Sequence, residues 1–170
     1  MKLFPNPKTL IFSKEKMNSQ KISKVTSSFD EHFNNLLYQM FEVNQKEGIP
    51  LMIEKSDDIT NYEGYKLKIE KEVITIIAKQ PNGAFYGLLT LRDILNSDNQ
   101  LCLEIEDYPD LAVRGVMLDI SRSKVPTLDT LKKLVVMFAT LRYNHLELYI
   151  EGFSFEYQSF KHLLSDNNYL

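Results

Sequence analysis

The chain has 170 residues, 44% of them hydrophobic and 25% charged, with a formal net charge of −3. That balance is ordinary for a globular protein and supplies no basic surface for a nucleic acid. The single cysteine, Cys102, excludes an intrachain disulfide, and no apolar run approaches the roughly 20 residues of a membrane span.

Residues 3–12 alternate weakly around two prolines, Pro5 and Pro7, as in a strand at a sheet edge. They contain no signal-peptide core, since Leu10-Ile11-Phe12 is too short for an apolar region of about 7–15 residues. There is also no Asn-x-Ser/Thr site, so a cytoplasmic protein is expected. Ser19 can cap a helix whose apolar positions are Ile22, Val25, Phe29, Phe33, Leu36, Leu37 and Met40. Gly48 and Pro50 end that segment, and Leu51-Met52-Ile53 follows as a short strand. Tyr65–Ile69 alternates with period two, Glu70-Lys71-Glu72 turns, and Val73–Ala78 returns, which makes a hairpin. After Pro81-Asn82-Gly83 a helix runs over 84–95, with Phe85, Leu88, Leu91 and Leu95 on one side. Leu101–Ile105 is a last alternating strand.

These elements predict an α+β domain: a small sheet with two helices on one face. Asp107-Tyr108-Pro109-Asp110 then acts as a linker. Val116–Ile120 suits a strand buried on both faces. Pro126, Thr127 and Asp129 start a helix carrying Leu128, Leu131, Leu134, Val135, Phe138 and Leu141. Asn144 closes it, and His145–Glu151 is a second strand. Strand, helix and strand in this order make a parallel β-α-β unit.

Two separated runs resemble glycoside hydrolase family 20, the β-N-acetylhexosaminidases. The run Asn82-Gly83-Ala84-Phe85-Tyr86-Gly87-Leu88-Leu89-Thr90-Leu91-Arg92 resembles the second helix of the small domain preceding that family's barrel. Asp107–Asp110, Arg114-Gly115, Leu118-Asp119-Ile120-Ser121-Arg122 and Tyr143-Asn144 resemble the opening of the barrel itself. The resemblance implies an accessory domain over 1–108 and the start of a (β/α)8 barrel over 109–170. It also implies N-acetylhexosamine-containing glycans as partners of the parent protein, and no cofactor.

Within that resemblance, Arg114 is the expected sugar-binding residue, a rigid fork of donors for vicinal hydroxyls. Barrel sites lie at the carboxyl ends of strands, whereas Arg114 opens its strand, so its arm would have to run inside the barrel. Asp119 and Glu151, at the ends of the two strands, are further substrate-binding candidates, with Tyr149 beside Glu151. Asp119 and Arg122 also read as a structural ion pair. Many members carry His-Trp-His where this chain has Tyr149-Ile150-Glu151-Gly152. His32, His145 and His162 are scattered, and no metal-ligand spacing accompanies them. Gly83 and Gly87 read as a helix start and a close-packing position. Tyr65, Phe85 and Tyr86 lack the basic neighbours of an RNA-stacking sheet.

Glycosidases need two carboxylates about the scissile bond. In the family resembled, the substrate's own 2-acetamido oxygen attacks, and an adjacent Asp-Glu pair on a later strand assists it. Here the only Asp-Glu neighbours are Asp30-Glu31, expected mid-helix as solvated charges, and neither Phe155-Glu156-Tyr157 nor Ser165-Asp166-Asn167 has the required form. A barrel takes about 250 residues, so this chain is expected to be a truncated start, inactive alone. The alternative is a non-catalytic folding or interaction module. Each large aliphatic left uncovered forfeits roughly 1.5–3 kcal/mol. The apolar faces of the second unit are therefore expected to pack on the small domain or on a second copy of the chain.

Overall fold

The structure is a computed structural model, and it describes residues 3–43, 47–98, 100–122, 125–151 and 159, with Tyr38 and Gln39 described in backbone only. The chain divides into two compact units, Met1–Asp110 and Leu111–Leu170.

The first unit is built on a six-stranded mixed sheet. Its strands are β1 (Thr9–Lys16), β2 (Ile22–Ser27), β3 (Ile49–Lys55), β4 (Tyr65–Ile69), β5 (Ile74–Ala78) and β6 (Leu101–Asp107), and its helices are α1 (Glu31–Met40) and α2 (Pro81–Leu95). The spatial order is β1-β6-β4-β5-β3-β2. The β4–β5 hairpin closes through Glu70 N–H donating to the Val73 carbonyl at 2.9 Å. β6 and β1 continue it antiparallel, whereas β3 and β2 add parallel on the other side.

Period-two alternation divides the sheet into two unlike faces. Tyr65, Leu67, Ile69, Ile74, Ile76, Leu103 and Ile105 are buried within one core cluster, together with Phe33 and Leu37 of α1 and Leu88, Leu91 and Ile94 of α2. Both helices therefore cover the same face. The opposite face carries Lys66 across from Glu106 and Lys68 across from Glu104, paired at 3.7 and 3.5 Å. The buried arc of α2 is wider than the expected stripe. It includes Ala84, Tyr86, Gly87 and Leu89, while Phe85 and Leu95 are only partly buried.

One expected helix is in fact two elements. Residues from Ile22 to Met40 split into β2 and α1, because Ile22 and Val25 pair with β3 rather than continuing a helical stripe. Ile22 is 2% exposed there. The Ser19 hydroxyl accepts from Lys21 N–H at 3.0 Å in the turn before β2. The helix cap is Asp30, whose Oδ1 accepts Phe33 N–H at 2.9 Å, an arrangement worth about 1 kcal/mol. Asp30-Glu31 thus starts α1 instead of standing mid-helix. Pro50 sits inside β3, where the β2–β3 register shifts, so its missing N–H falls at an irregularity.

The second unit holds β7 (Gly115–Asp119), α3 (Leu128–Thr140) and β8 (His145–Tyr149). β7 and β8 form a two-stranded parallel sheet in the register Gly115↔His145 to Asp119↔Tyr149. Thr127 caps α3, its hydroxyl oxygen accepting from Thr130 N–H. Leu131, Leu134 and Phe138 on α3 and Val116, Leu118 and Leu146 on the strands are half-buried. No residue of α3 is fully buried; Leu128 and Val136 are 65% and 64% exposed. Gly152, Phe155-Glu156-Tyr157, His162 and Ser165-Asp166-Asn167 lie outside the described residues.

Candidate functional site

Parallel strands place all their carboxyl ends at one edge of the sheet, and in β/α folds that edge is where ligands bind. In the second unit this edge is formed by Asp119, the last residue of β7, and by Glu151, two residues beyond β8. Alternation puts Met117 and Asp119, with their partners Glu147 and Tyr149, on the face opposite Val116, Leu118, Leu146 and Leu148.

The two carboxylates are held by one consecutive pair of residues. Ser121 donates to Asp119 Oδ1 twice, from its backbone N–H at 2.9 Å and its hydroxyl at 2.8 Å. The same hydroxyl oxygen accepts Glu151 N–H at 2.7 Å. Arg122 Nε lies 2.8 Å from Glu151 Oε2 and 3.1 Å from Asp119 Oδ2, and its Nη2 lies 2.6 Å from Glu151 Oε2. The Ser121 N–H and hydroxyl, then the Arg122 charge, hold the Asp119 carboxyl below its ordinary value of 3.8. The Glu151 carboxylate, first by hydrogen bonding and then by its charge, raises Arg122. Two carboxyl groups that accept hydrogen bonds, with one fixed cation between them, suit a ligand rich in hydroxyl donors.

Arg114 stands at the other end of β7. It stands five positions before Asp119, about 16 Å of strand. Its Nε donates to the Arg142 carbonyl at 2.8 Å and its Nη1 to the Leu111 carbonyl at 2.7 Å. Asn144 completes this knot: its Oδ1 accepts Arg114 N–H at 2.9 Å and its Nδ2 donates to the Ala112 carbonyl at 2.8 Å. Arg142 has φ 65, the left-handed turn that ends α3 and aims its carbonyl at Arg114. The structure thus brings Asp119, Glu151 and Arg122 together and leaves Arg114 apart from them.

Spacing in the sequence pairs Arg122 with Asp119 alone. The link to Glu151 and the part of Ser121 are not visible in that spacing; the parallel register carries β8 past Tyr149 to the contact. His32 lies exposed on α1 and His145 exposed at the start of β8. Among the described residues no three His, Cys, Asp or Glu side chains gather as metal ligands, and no helix is long and apolar enough to cross a membrane.

The sequence profile described as Glycosyl hydrolase family 20, domain 2 matches residues 1–108. A beta-hexosaminidase of Porphyromonas gingivalis is 33% identical over 99 residues, which is 52% of this chain and 13% of that protein. One from Akkermansia muciniphila is 28% identical over 116 residues, 64% of this chain and 23% of that protein. The chain therefore spans less than a quarter of the length of these curated relatives. Among solved structures, the β-N-acetylhexosaminidase of Bacteroides fragilis superposes with a TM-score of 0.70 at 22% identity, covering 86% of this chain and 32% of that one. The exo-β-N-acetylglucosaminidase of Vibrio harveyi gives 0.73 at 21% identity, covering 95% and 28%. At such identities the likeness speaks to fold alone. With the profile spanning the sheet and both of its helices, the chain belongs to glycosyl hydrolase family 20 and carries the N-terminal domain of its hexosaminidases.

Proposed function

We propose that this chain is the N-terminal part of a β-N-acetylhexosaminidase that removes terminal N-acetylhexosamine residues by a substrate-assisted retaining mechanism. In this reading β7-α3-β8 is the first β-α-β of a (β/α)8 barrel. The observation that carries it is the order of the two units: a parallel strand-helix-strand follows directly on a domain of this family. The exposed aliphatics of α3 and of the sheet, Val136 and Met117 among them, then await further strand-helix units, with a second copy of the chain as the other possible cover.

Asp119 and Glu151, at the carboxyl edge, accept hydrogen bonds from sugar hydroxyls. Arg114 donates to hydroxyls once its guanidinium leaves the Arg142 and Leu111 carbonyls for the barrel interior. The acid that assists the acetamido group comes from an Asp-Glu pair on a later strand, and Asp30, engaged as the α1 cap, does not replace it. The chain alone therefore hydrolyses no chromogenic N-acetylglucosaminide. Joining it in frame to the later barrel strands of a family member, with their Asp-Glu pair, restores turnover. A joined protein that folds and stays inert, while the same later strands work with that member's own N-terminal part, overturns the proposal.

A further inference from the structure

We propose that Arg122 is a positioning residue, one that fixes the Glu151 carboxylate beside Asp119 so that a sugar's hydroxyls meet a prearranged pair of acceptors. The inference rests on the glycosidase reading above and adds to it the residue that organises the edge. Its first support is geometry. Arg122 reaches across from the β7 end to the β8 end, with Nε and Nη2 both converging on Glu151 Oε2, and Nε also near Asp119 Oδ2. Ser121 repeats the tie one residue earlier, its hydroxyl joining Asp119 Oδ1 to Glu151 N–H. Consecutive residues thus hold both carboxylates, one by charge and one by hydrogen bonds.

The second support is magnitude. The Arg122 and Glu151 side chains are 64% and 56% exposed. Ion pairs in that setting add little to stability, because water screens them and ordering two long side chains opposes them. Holding the fold together is a weak reason for this arrangement. Orienting the carboxylates is a stronger one, because two like charges at one edge repel unless a cation stands between them. A guanidinium keeps its charge at any working pH and offers a planar fork, so it holds the Glu151 carboxyl group in one direction. An ionised carboxylate is purely an acceptor, which matches the donor-rich rim of a pyranose.

The test is a titration of the whole 15N-labelled chain with methyl β-N-acetylglucosaminide, following the Ser121, Arg122 and Glu151 amides. The native chain is expected to show saturable shifts at these positions. Arg122→Gln is expected to weaken binding roughly tenfold or more, the worth of a hydrogen bond to a charged group. Its urea midpoint should barely move. Arg122→Lys, which keeps the charge and loses the fork, should fall between the two, and Glu151→Gln should match Arg122→Gln. Should Arg122→Gln lose the 115–149 amide dispersion, Glu151→Gln on its own decides. Native binding with undiminished affinity in Arg122→Gln or in Glu151→Gln overturns the positioning role and leaves the glycosidase reading standing. A native chain whose edge amides ignore the sugar also overturns the positioning role, and the joined protein described above still decides the glycosidase reading.

Discussion

Gly83, in the first turn of α2, lies so close to Gly64 that a Cβ built on it would stand 2.3 Å from the Gly64 carbonyl oxygen. Backbone meets backbone here, so no side chain can swing aside. Alanine is the better helix former by about 1 kcal/mol, yet the clash outweighs that gain. Gly83→Ala should lower unfolding stability by about 1–3 kcal/mol, read as a lower urea midpoint at unchanged slope. A stabilised variant would mean that α2 and the Asn61–Gly64 turn are not in contact.

Behind that contact lies a buried polar chain. The Tyr65 hydroxyl is 2.6 Å from Thr90 Oγ1 and 3.3 Å from Asp107 Oδ2, joining β4, α2 and the end of β6. Tyr65 and Thr90 are each 2% exposed and Asp107 is 7% exposed. Removing a hydroxyl that hydrogen-bonds buried polar groups costs about 1–3 kcal/mol, so Tyr65→Phe should be destabilising although it retains the ring. Thermal denaturation measures it, and an unchanged midpoint would show that the hydroxyl contributes nothing.

Protonation of Asp119 should loosen the carboxyl edge of β7 and β8. Its folded pKa is depressed, first by the Ser121 backbone N–H, then by the Ser121 hydroxyl and Arg122. A depressed carboxyl stabilises the folded state fully above its unfolded value. That stabilisation is lost as pH falls through the folded pKa. The Ser121 amide shift should therefore titrate with a midpoint below 3.8, the ordinary value for Asp119. In Ser121→Ala the Asp119 carboxyl midpoint should move back up, because the hydroxyl is gone while the backbone donor stays.

Much of this was legible in the sequence because local and tertiary preferences agree. Tyr65–Ile69 alternates, Val73–Ala78 is β-branched and apolar, and the two segments pair as strands. Thr127, the α3 stripe and Asn144 mark a crossover that does connect parallel strands. The reading failed at Ile22 and Val25, whose spacing fits a helix as well as a strand. Only the β3 neighbour decides between them, and it lies some 27 residues further on in the chain. Asp30 reads as a mid-helix charge for the same reason, since a cap is recognisable only when the helix start is known. At the candidate site, Asp119 and Glu151 follow from strand ends, but the bridge through Ser121 and Arg122 depends on the register between β7 and β8, which composition does not encode. Arg114 shows the converse: its residue type suits a ligand, while its guanidinium donates to two backbone carbonyls, those of Leu111 and Arg142.

The most direct test of the whole account is the purified chain's action on a chromogenic N-acetylglucosaminide. If residues 111–151 open a barrel whose acid pair belongs to a later strand, no chromophore is released. Release above the blank that disappears in Arg114→Ala would place a working centre inside these 170 residues and contradict the account.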